Sequence, residues 1–264
     1  MNLFASDLDR TLIYSKRALH EMETPWNESM IGVEVKNGEP VSYMTKDSYD
    51  LLKEIATKHF FVPVTTRTYE QYKRIFIFNE EMPMTYCVTS NGAKIHYKGE
   101  LVKEWAKTIH TRLKEDCMEK DELLQKLQIY SLHGELKIAD NLFFYYVLKT
   151  NIDEDIKREL IQVAIENGWN ISLQGRKLYF MPKPICKGEA IKYIIEREGV
   201  EKSIGAGDSL LDLPFLNSCQ IGYIPRHGEL TLEKIKNSTQ HLTIQKGAFA
   251  GEEIVRNVHK QFIC

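Results

Sequence analysis

Cysteine is scarce in this 264-residue chain, and the five present, Cys87, Cys117, Cys186, Cys219 and Cys264, are widely separated, odd in number and never arranged as C-x-x-C. That pattern speaks against a disulfide framework and a structural zinc site. Each reads as a reduced, mostly buried small apolar residue, with Cys264 an exposed terminal thiol. A basic excess is missing too. Lys and Arg number 35 against 37 Asp and Glu, for a formal charge of −2, so no overall positive field exists to hold a nucleic acid or an anionic membrane. No apolar run approaches the length of a membrane span, and the opening residues lack the basic and long apolar regions of a signal peptide. Repeats and low-complexity tracts are absent as well. These absences predict a soluble, cytoplasmic protein whose partner is a small molecule and neither a nucleic acid nor a membrane; monomer and homodimer both stay open.

With 43% hydrophobic and 27% charged residues, the chain can bury a sizeable core, either as one large domain or as a core carrying an insertion. Its first apolar run, Leu3, Phe4 and Ala5, stops at two aspartates, Asp7 and Asp9. Residues 14 to 44 look irregular apart from "VEVKNGEPVSY" (33 to 43), whose β-formers flank an Asn-Gly pair and predict a hairpin flap. Thr45 caps a helix in which Tyr49, Leu52, Ile55 and Ala56 recur at helical spacing. A strand follows in "FFVPVTTRT" (60 to 68), then a helix over 69 to 78, then two strands about Ser90-Asn91-Gly92. Strands alternating with helices predict a parallel sheet covered by helices, with its site at the carboxyl ends of the strands.

Near residue 98 the texture changes. A long charged helical region precedes the strand "NLFFYYVLKT", a helix stopped at Gly168, and two strands about Gln174-Gly175. This α+β module is expected as an insertion over 98–181, leaving 1–97 and 182–264 as one core. The alternation then resumes with a helix over 186 to 200 ending at Gly199, the strand and acidic turn "SIGAGDSLLD", a strand in "CQIGYIP" and a final helix.

Residues i and i+2 of an extended segment share a side, so Asp7 and Asp9 can face one crevice at the end of the first strand. Two carboxylates there repel each other unless a cation or protons compensate, so positive charge is expected nearby. Alone, Asp-x-Asp-x-Thr describes many solvated strand ends. It carries more weight beside three later groups: Thr65 after "FFVPV", Lys187 in "CKGEA", and Asp208 with Asp212 in "GDSLLD".

In this order and at these separations, "DLDRT", "VTTR", "KGEA" and "GDSLLD" resemble the motifs of the haloacid dehalogenase superfamily of phosphatases. The motifs bracket most of the chain, and "SNGA" (90 to 93) resembles the Cof-like and sugar-phosphatase branch. The resemblance implies an α/β fold: a Rossmann-like parallel-sheet core with helices on both faces and an inserted α+β cap of the C2 type. It further implies a phosphoric monoester hydrolase in which Asp7 is the nucleophile that forms an aspartyl-phosphate and Asp9 the proton shuttle. Mg²⁺ would be held by Asp7, the Asp9 backbone carbonyl, Asp208 and Asp212. Thr65 and Lys187 would hold phosphoryl oxygens, and Thr66, Arg67, Asn91 and Arg176 complete the candidate substrate and phosphate ligands. The partner would be a small phosphate monoester, a sugar phosphate, with specificity carried by cap groups such as Gln174, Arg176, Lys177 and the aromatic strand from Phe143 to Tyr146. Core packing is the favoured reading of those aromatics.

The chain departs from the family pattern at three places: Arg10 and Thr66 where glycine is common, and Leu211 where asparagine commonly precedes the second acid. None removes a charged group. Leu211 is expected to weaken hydrogen bonding around the metal. Asp9 argues against dehalogenation, which needs no protonation of the leaving group, and the chain is far longer than a receiver domain, which has no large cap. A phosphosugar mutase and a non-catalytic phospho-ligand sensor on the same fold remain as alternatives.

Overall fold

The computed structural model describes residues 1–230 and 238–263, so the expectation for Cys264 lies outside the described residues. The chain forms two compact units, Met1–Val102 with Lys187 onward, and Lys103–Cys186. In the first unit the order is β1 (Leu3–Ser6), α1 (Lys16–Glu21), β2 (Met30–Lys36), β3 (Glu39–Thr45), α2 (Lys46–Lys58), β4 (Phe60–Pro63), α3 (Tyr69–Tyr72), β5 (Tyr86–Thr89), β6 (Lys94–Tyr97) and β7 (Glu100–Leu101). The second unit runs α4 (Lys103–Asp116), α5 (Lys120–Leu127), β8 (Gly134–Ala139), β9 (Phe143–Leu148), α6 (Glu154–Glu166), β10 (Trp169–Gln174) and β11 (Lys177–Pro182). The chain returns to the first unit with α7 (Lys187–Glu198), β12 (Ser203–Ala206), α8 (Leu213–Ser218), β13 (Ile221–Ile224), β14 (Gln240–Leu242) and α9 (Gly247–Ile263).

Five parallel strands in the order β14-β13-β12-β1-β4 form the main sheet, and a parallel bridge from Val64 to Val88 leads on to β5. The apolar run Leu3 to Ala5 is central, paired on one side with Ser203 to Gly205 and on the other with Phe60 to Val62, and every residue of β1 and β12 is buried. Burial on both sides is what a parallel sheet sandwiched by helices requires. Phe4 and Phe61 pack with Leu52 and Ile55 of α2 and with Ile254, Val255 and Val258 of α9. Thr45 caps α2 by accepting from the Ser48 amide, which directs Leu52, Ile55 and Ala56 onto the core. The α7–α8 pair packs together elsewhere on the sheet, α8 against β12 and β13.

β2 and β3 form the expected hairpin, turning at Asn37 and Gly38 with φ of 54° and 82°, the left-handed pair that a two-residue turn demands. Register shifts between Gly32, Glu34 and Val35 break its alternation, so both Val33 and Glu34 are buried. Two local expectations differ. The stretch before the hairpin contains α1, capped by Ser15. Instead of one helix over 69 to 78, α3 ends at Tyr72 and a wider turn spans Ile77–Glu81. Asn79 Nδ2 donates to the Lys73 and Ile75 carbonyls there, diverting acceptors that a continuous helix would use. The charged region after residue 98 is two helices, α4 and α5.

The second unit contains a four-stranded antiparallel sheet, β10-β11-β9-β8, with α4 to α6. The edge strand β8 had no counterpart in the sequence reading. Phe143 and Phe144 are fully buried, and Phe144 stacks on Phe180 at 4.9 Å, in accord with core packing for those two aromatics. Hydrogen bonds from Lys183 to the Gly168 carbonyl and from Ile185 to the Pro182 carbonyl keep the segment after β11 with this unit. At the other end β7 pairs with β6, so the first unit continues to Val102 and the unit boundaries lie five residues beyond 98 and 181.

Candidate active site

Three carboxylates converge at the carboxyl ends of β1 and β12. One oxygen each from Asp7, Asp208 and Asp212 lies within 4.8 Å of the others, and all three residues are buried. Lys187, 1% exposed at the first turn of α7, donates to Asp7 Oδ1 at 2.7 Å and to Asp212 Oδ1 at 2.6 Å. The Lys187 ammonium, with the partly exposed Arg10 guanidinium 3.8 Å from Asp208, is set against three carboxylates, and the remaining imbalance shows in their proton affinities. Burial pushes Asp7 up to about 7, Lys187 opposing and Asp212 reinforcing. Burial, then Asp7 and Asp212, holds Asp208 well above its ordinary value. Burial disfavours the Lys187 ammonium, but the two carboxylates outweigh it and raise its pKa. An oxygen-only set with surplus negative charge fits a hard divalent cation.

The backbone dictates this convergence. Asp212 heads α8 but does not cap it with its side chain. Its Oδ2 instead accepts from the amide and hydroxyl of Ser209, both at 2.9 Å, leaving Oδ1 for Lys187. Gly207 makes room: a Cβ there would lie 2.4 Å from Asp212 Cβ and 2.6 Å from its carboxyl carbon. Ser209 therefore supplies hydrogen bonding beside Leu211, a role the sequence reading did not assign.

Thr65, 1% exposed, follows β4 beside β1, and its hydroxyl accepts from the Arg67 amide at 3.1 Å. Asn91, 3% exposed and left-handed at φ 58°, donates its amide to the Thr65 carbonyl, while the Ser90 amide donates to the Arg67 carbonyl. The two loops after β4 and β5 are thus tied together, with Thr66 half-buried between Thr65 and Arg67. Thr11 reaches Asp7 Oδ2 at only 3.5 Å.

Asp9 stands apart from the triad of carboxylates. Its side chain is 52% exposed, and both oxygens receive the Arg67 guanidinium fork at 2.7 Å. Arg67, expected as a phosphate ligand, is thus committed to carboxylates: Asp9 and the buried Glu34. Glu34 was also missed by the sequence reading, because a glutamate between two valines in a hairpin reads as a solvent-facing position. Arg176 lies on the exposed turn between β10 and β11 of the second unit.

Arg10 has φ 67°, the left-handed region that glycine occupies freely, which accounts physically for glycine being common at this position. His227 holds that conformation from outside. The Gly247 amide donates to its Nδ1 at 3.1 Å, so the proton sits on Nε2, which donates to the Arg10 carbonyl at 2.7 Å. The Arg10 guanidinium lies 3.8 Å from Asp208 and 3.3 Å from Glu21.

No family model matches the chain. A phosphoglycolate phosphatase of Staphylothermus marinus is 25% identical over 104 residues, which cover 38% of this chain and 42% of that protein, less than half its length. Among solved structures, the sucrose-phosphatase of Synechocystis, in complex with sucrose and phosphate, superposes with a TM-score of 0.72 at 17% identity, covering 100% of this chain and 99% of that one. A haloacid dehalogenase-like hydrolase of Bacillus subtilis gives a TM-score of 0.57 at 16% identity over 99% and 92% of the two chains. A phosphatase of the same superfamily from Bacteroides thetaiotaomicron gives 0.58 at 13% identity over 97% and 94%. The fold of this chain is that of the haloacid dehalogenase-like phosphatases.

Proposed function

We propose that this chain, built on the haloacid dehalogenase-type fold, is a Mg²⁺-dependent phosphatase that hydrolyses a small phosphate monoester, a sugar phosphate, through an aspartyl-phosphate on Asp7. The observation that carries the reading is the buried set of Asp7, Lys187, Asp208 and Asp212 at the ends of parallel strands. Asp7, Asp208 and Asp212, with the Asp9 backbone carbonyl, would hold the cation. When bound, Mg²⁺ supplies positive charge against the incoming phosphoryl group and favours ionised Asp7.

In the first half-reaction a carboxylate oxygen of Asp7 bonds to phosphorus as the ester P–O bond breaks, and Asp9 donates its proton to the departing alcohol oxygen. In the second, Asp9 takes a proton from water, whose oxygen attacks the aspartyl-phosphate, releasing inorganic phosphate and restoring Asp7. Lys187 is already fixed against Asp7 and serves phosphoryl charge without reorganising. The Thr65 hydroxyl and the Asn91 loop offer hydrogen bonds to the remaining oxygens.

A panel of phosphorylated metabolites, assayed for phosphate release with and without Mg²⁺, tests this. Expected are metal-dependent turnover and a loss of at least about 1,000-fold in kcat for Asp7→Asn, since the covalent route is removed. No phosphate release across the panel, or release unaffected by Asp7→Asn, would sink the proposal. An isomeric sugar phosphate formed without free phosphate would replace hydrolysis by a mutase.

A further inference from the structure

Outside the carboxylate cluster, Glu34 on β2 is a buried carboxylate with several polar partners. It is 3% exposed, accepts hydrogen bonds from the Ser42 hydroxyl at 2.6 Å and Arg67 Nη2 at 3.1 Å, and forms ion pairs with Arg67 Nη1 at 3.0 Å and Arg74 Nε at 3.2 Å. A carboxylate this deeply buried needs such compensation, yet nothing in the proposed reaction uses it. Its partner Arg67, only 12% exposed, turns the other edge of its guanidinium to Asp9. The charges therefore alternate in one line: Asp9, Arg67, Glu34, Arg74. Backbone hydrogen bonds in both directions between Tyr14 and Tyr43, each 2.8 Å, also tie this hairpin to the loop that carries Asp9.

We infer that Glu34 is a positioning residue for Asp9, acting through Arg67. This rests on the reading of Asp9 as the proton shuttle. An arginine side chain left to itself samples many rotamers, and a fork on a carboxylate has one productive geometry. Glu34 removes that freedom by holding the far edge of the guanidinium from inside the protein. The bulge in β2 that turns Glu34 inward is then the local feature that couples the hairpin to the chemistry. Arg67 accordingly serves Asp9 and does not clamp phosphate.

The two roles separate by leaving group. An alkyl phosphate needs the departing oxygen protonated, whereas p-nitrophenolate leaves without a proton, and kcat/KM reports only steps up to the aspartyl-phosphate. Glu34→Gln, nearly isosteric, is compared with the unaltered full chain on glycerol phosphate and on p-nitrophenyl phosphate with Mg²⁺. The expected result is a 10- to 100-fold loss of kcat/KM on the alkyl ester and about threefold or less on the aryl ester, as for a group acting through acid catalysis. Should Glu34→Gln not fold, Arg67→Lys keeps the charge but loses the fork and is expected to shift the alkyl-to-aryl ratio in the same direction. A crystal structure of the foldable variant is expected to show the Asp9 carboxylate displaced or in more than one rotamer. Equal losses on both esters, no loss on either, or an unmoved Asp9 overturns the role of Glu34. An unaltered protein that releases phosphate from neither ester nor from any of the metabolite panel overturns the phosphatase reading instead, and this role with it.

Discussion

Replacing Lys187 with methionine keeps an apolar stem of similar length and removes the ammonium that Asp7 and Asp212 share at 2.7 and 2.6 Å. Taking one partner from a buried ion pair costs about 3–5 kcal/mol, because the remaining charge stays buried without compensation. For a chain of this size that corresponds to a fall in Tm of roughly 6–20 °C, at roughly 2–4 °C per kcal/mol. The pH dependence identifies the cause. Lys187 has a folded pKa above its ordinary value, so its contribution is complete below about pH 10 and does not itself change between pH 5 and 8. Asp7, raised from 3.8 to about 7, binds more protons folded than unfolded across that window, so its burial costs stability as pH rises through it. Without Lys187 the Asp7 carboxyl loses its main lowering influence and titrates higher still. The deficit of Lys187→Met is therefore expected to be largest at pH 8, to shrink toward pH 5, and to be partly recovered by millimolar Mg²⁺. Thermal unfolding followed by circular dichroism at the two pH values, with Mg²⁺ and with a chelator, measures all three. A Tm difference that is the same at pH 5 and pH 8 and indifferent to Mg²⁺ would refute the electrostatic account.

Gly207→Ala would place a methyl within 2.4 Å of Asp212 Cβ, an overpacking expected to cost about 1–3 kcal/mol in urea unfolding and to lower kcat by disturbing the Asp212–Lys187 contact. Asp208→Asn keeps the shape of the cluster but removes one of its three charges, and is expected to raise the Mg²⁺ concentration for half-maximal activity about 100-fold, with metal titration as the assay. His227→Ala removes the donor to the Arg10 carbonyl and is expected to cost about 1–2 kcal/mol at pH 8. Burial lowers the pKa of His227 below 6.5, so its contribution is full above that value and is lost as pH falls through the folded value. The difference between His227→Ala and the unaltered chain should thus narrow on acidification, and widening would contradict the assigned tautomer.

The elements with strong local signals were legible from the chain alone. The run Leu3 to Ala5, the Thr45 cap with its apolar stripe, and the Asn37-Gly38 turn each carry their cause within a few residues, by burial, capping or left-handed backbone. Asp7, Lys187, Asp208 and Asp212 were instead singled out by the order of their motifs and the resemblance those motifs carry; each stands near the end of a strand or the start of a helix. What was not legible depends on distant partners. The helix expected over 69 to 78 stops early because Asn79 competes for carbonyls. The edge strand β8 is mostly exposed and has no apolar run to announce it.

By itself, the sequence determined that strands and helices alternate about an insertion and that acidic groups close the first strand and the "GDSLLD" turn, since periodicity and turn chemistry act over a few residues. Only the tertiary structure decided which charges meet. Lys187 reaches Asp7 across 180 positions of chain, and Arg67 reaches Asp9 across 58. Glu34 becomes an internal anchor because a bulge reverses its face and two arginines arrive to neutralise it. Long-range pairing of buried charge is a property of the folded arrangement, where desolvation makes each partner's position matter, and no local pattern encodes it.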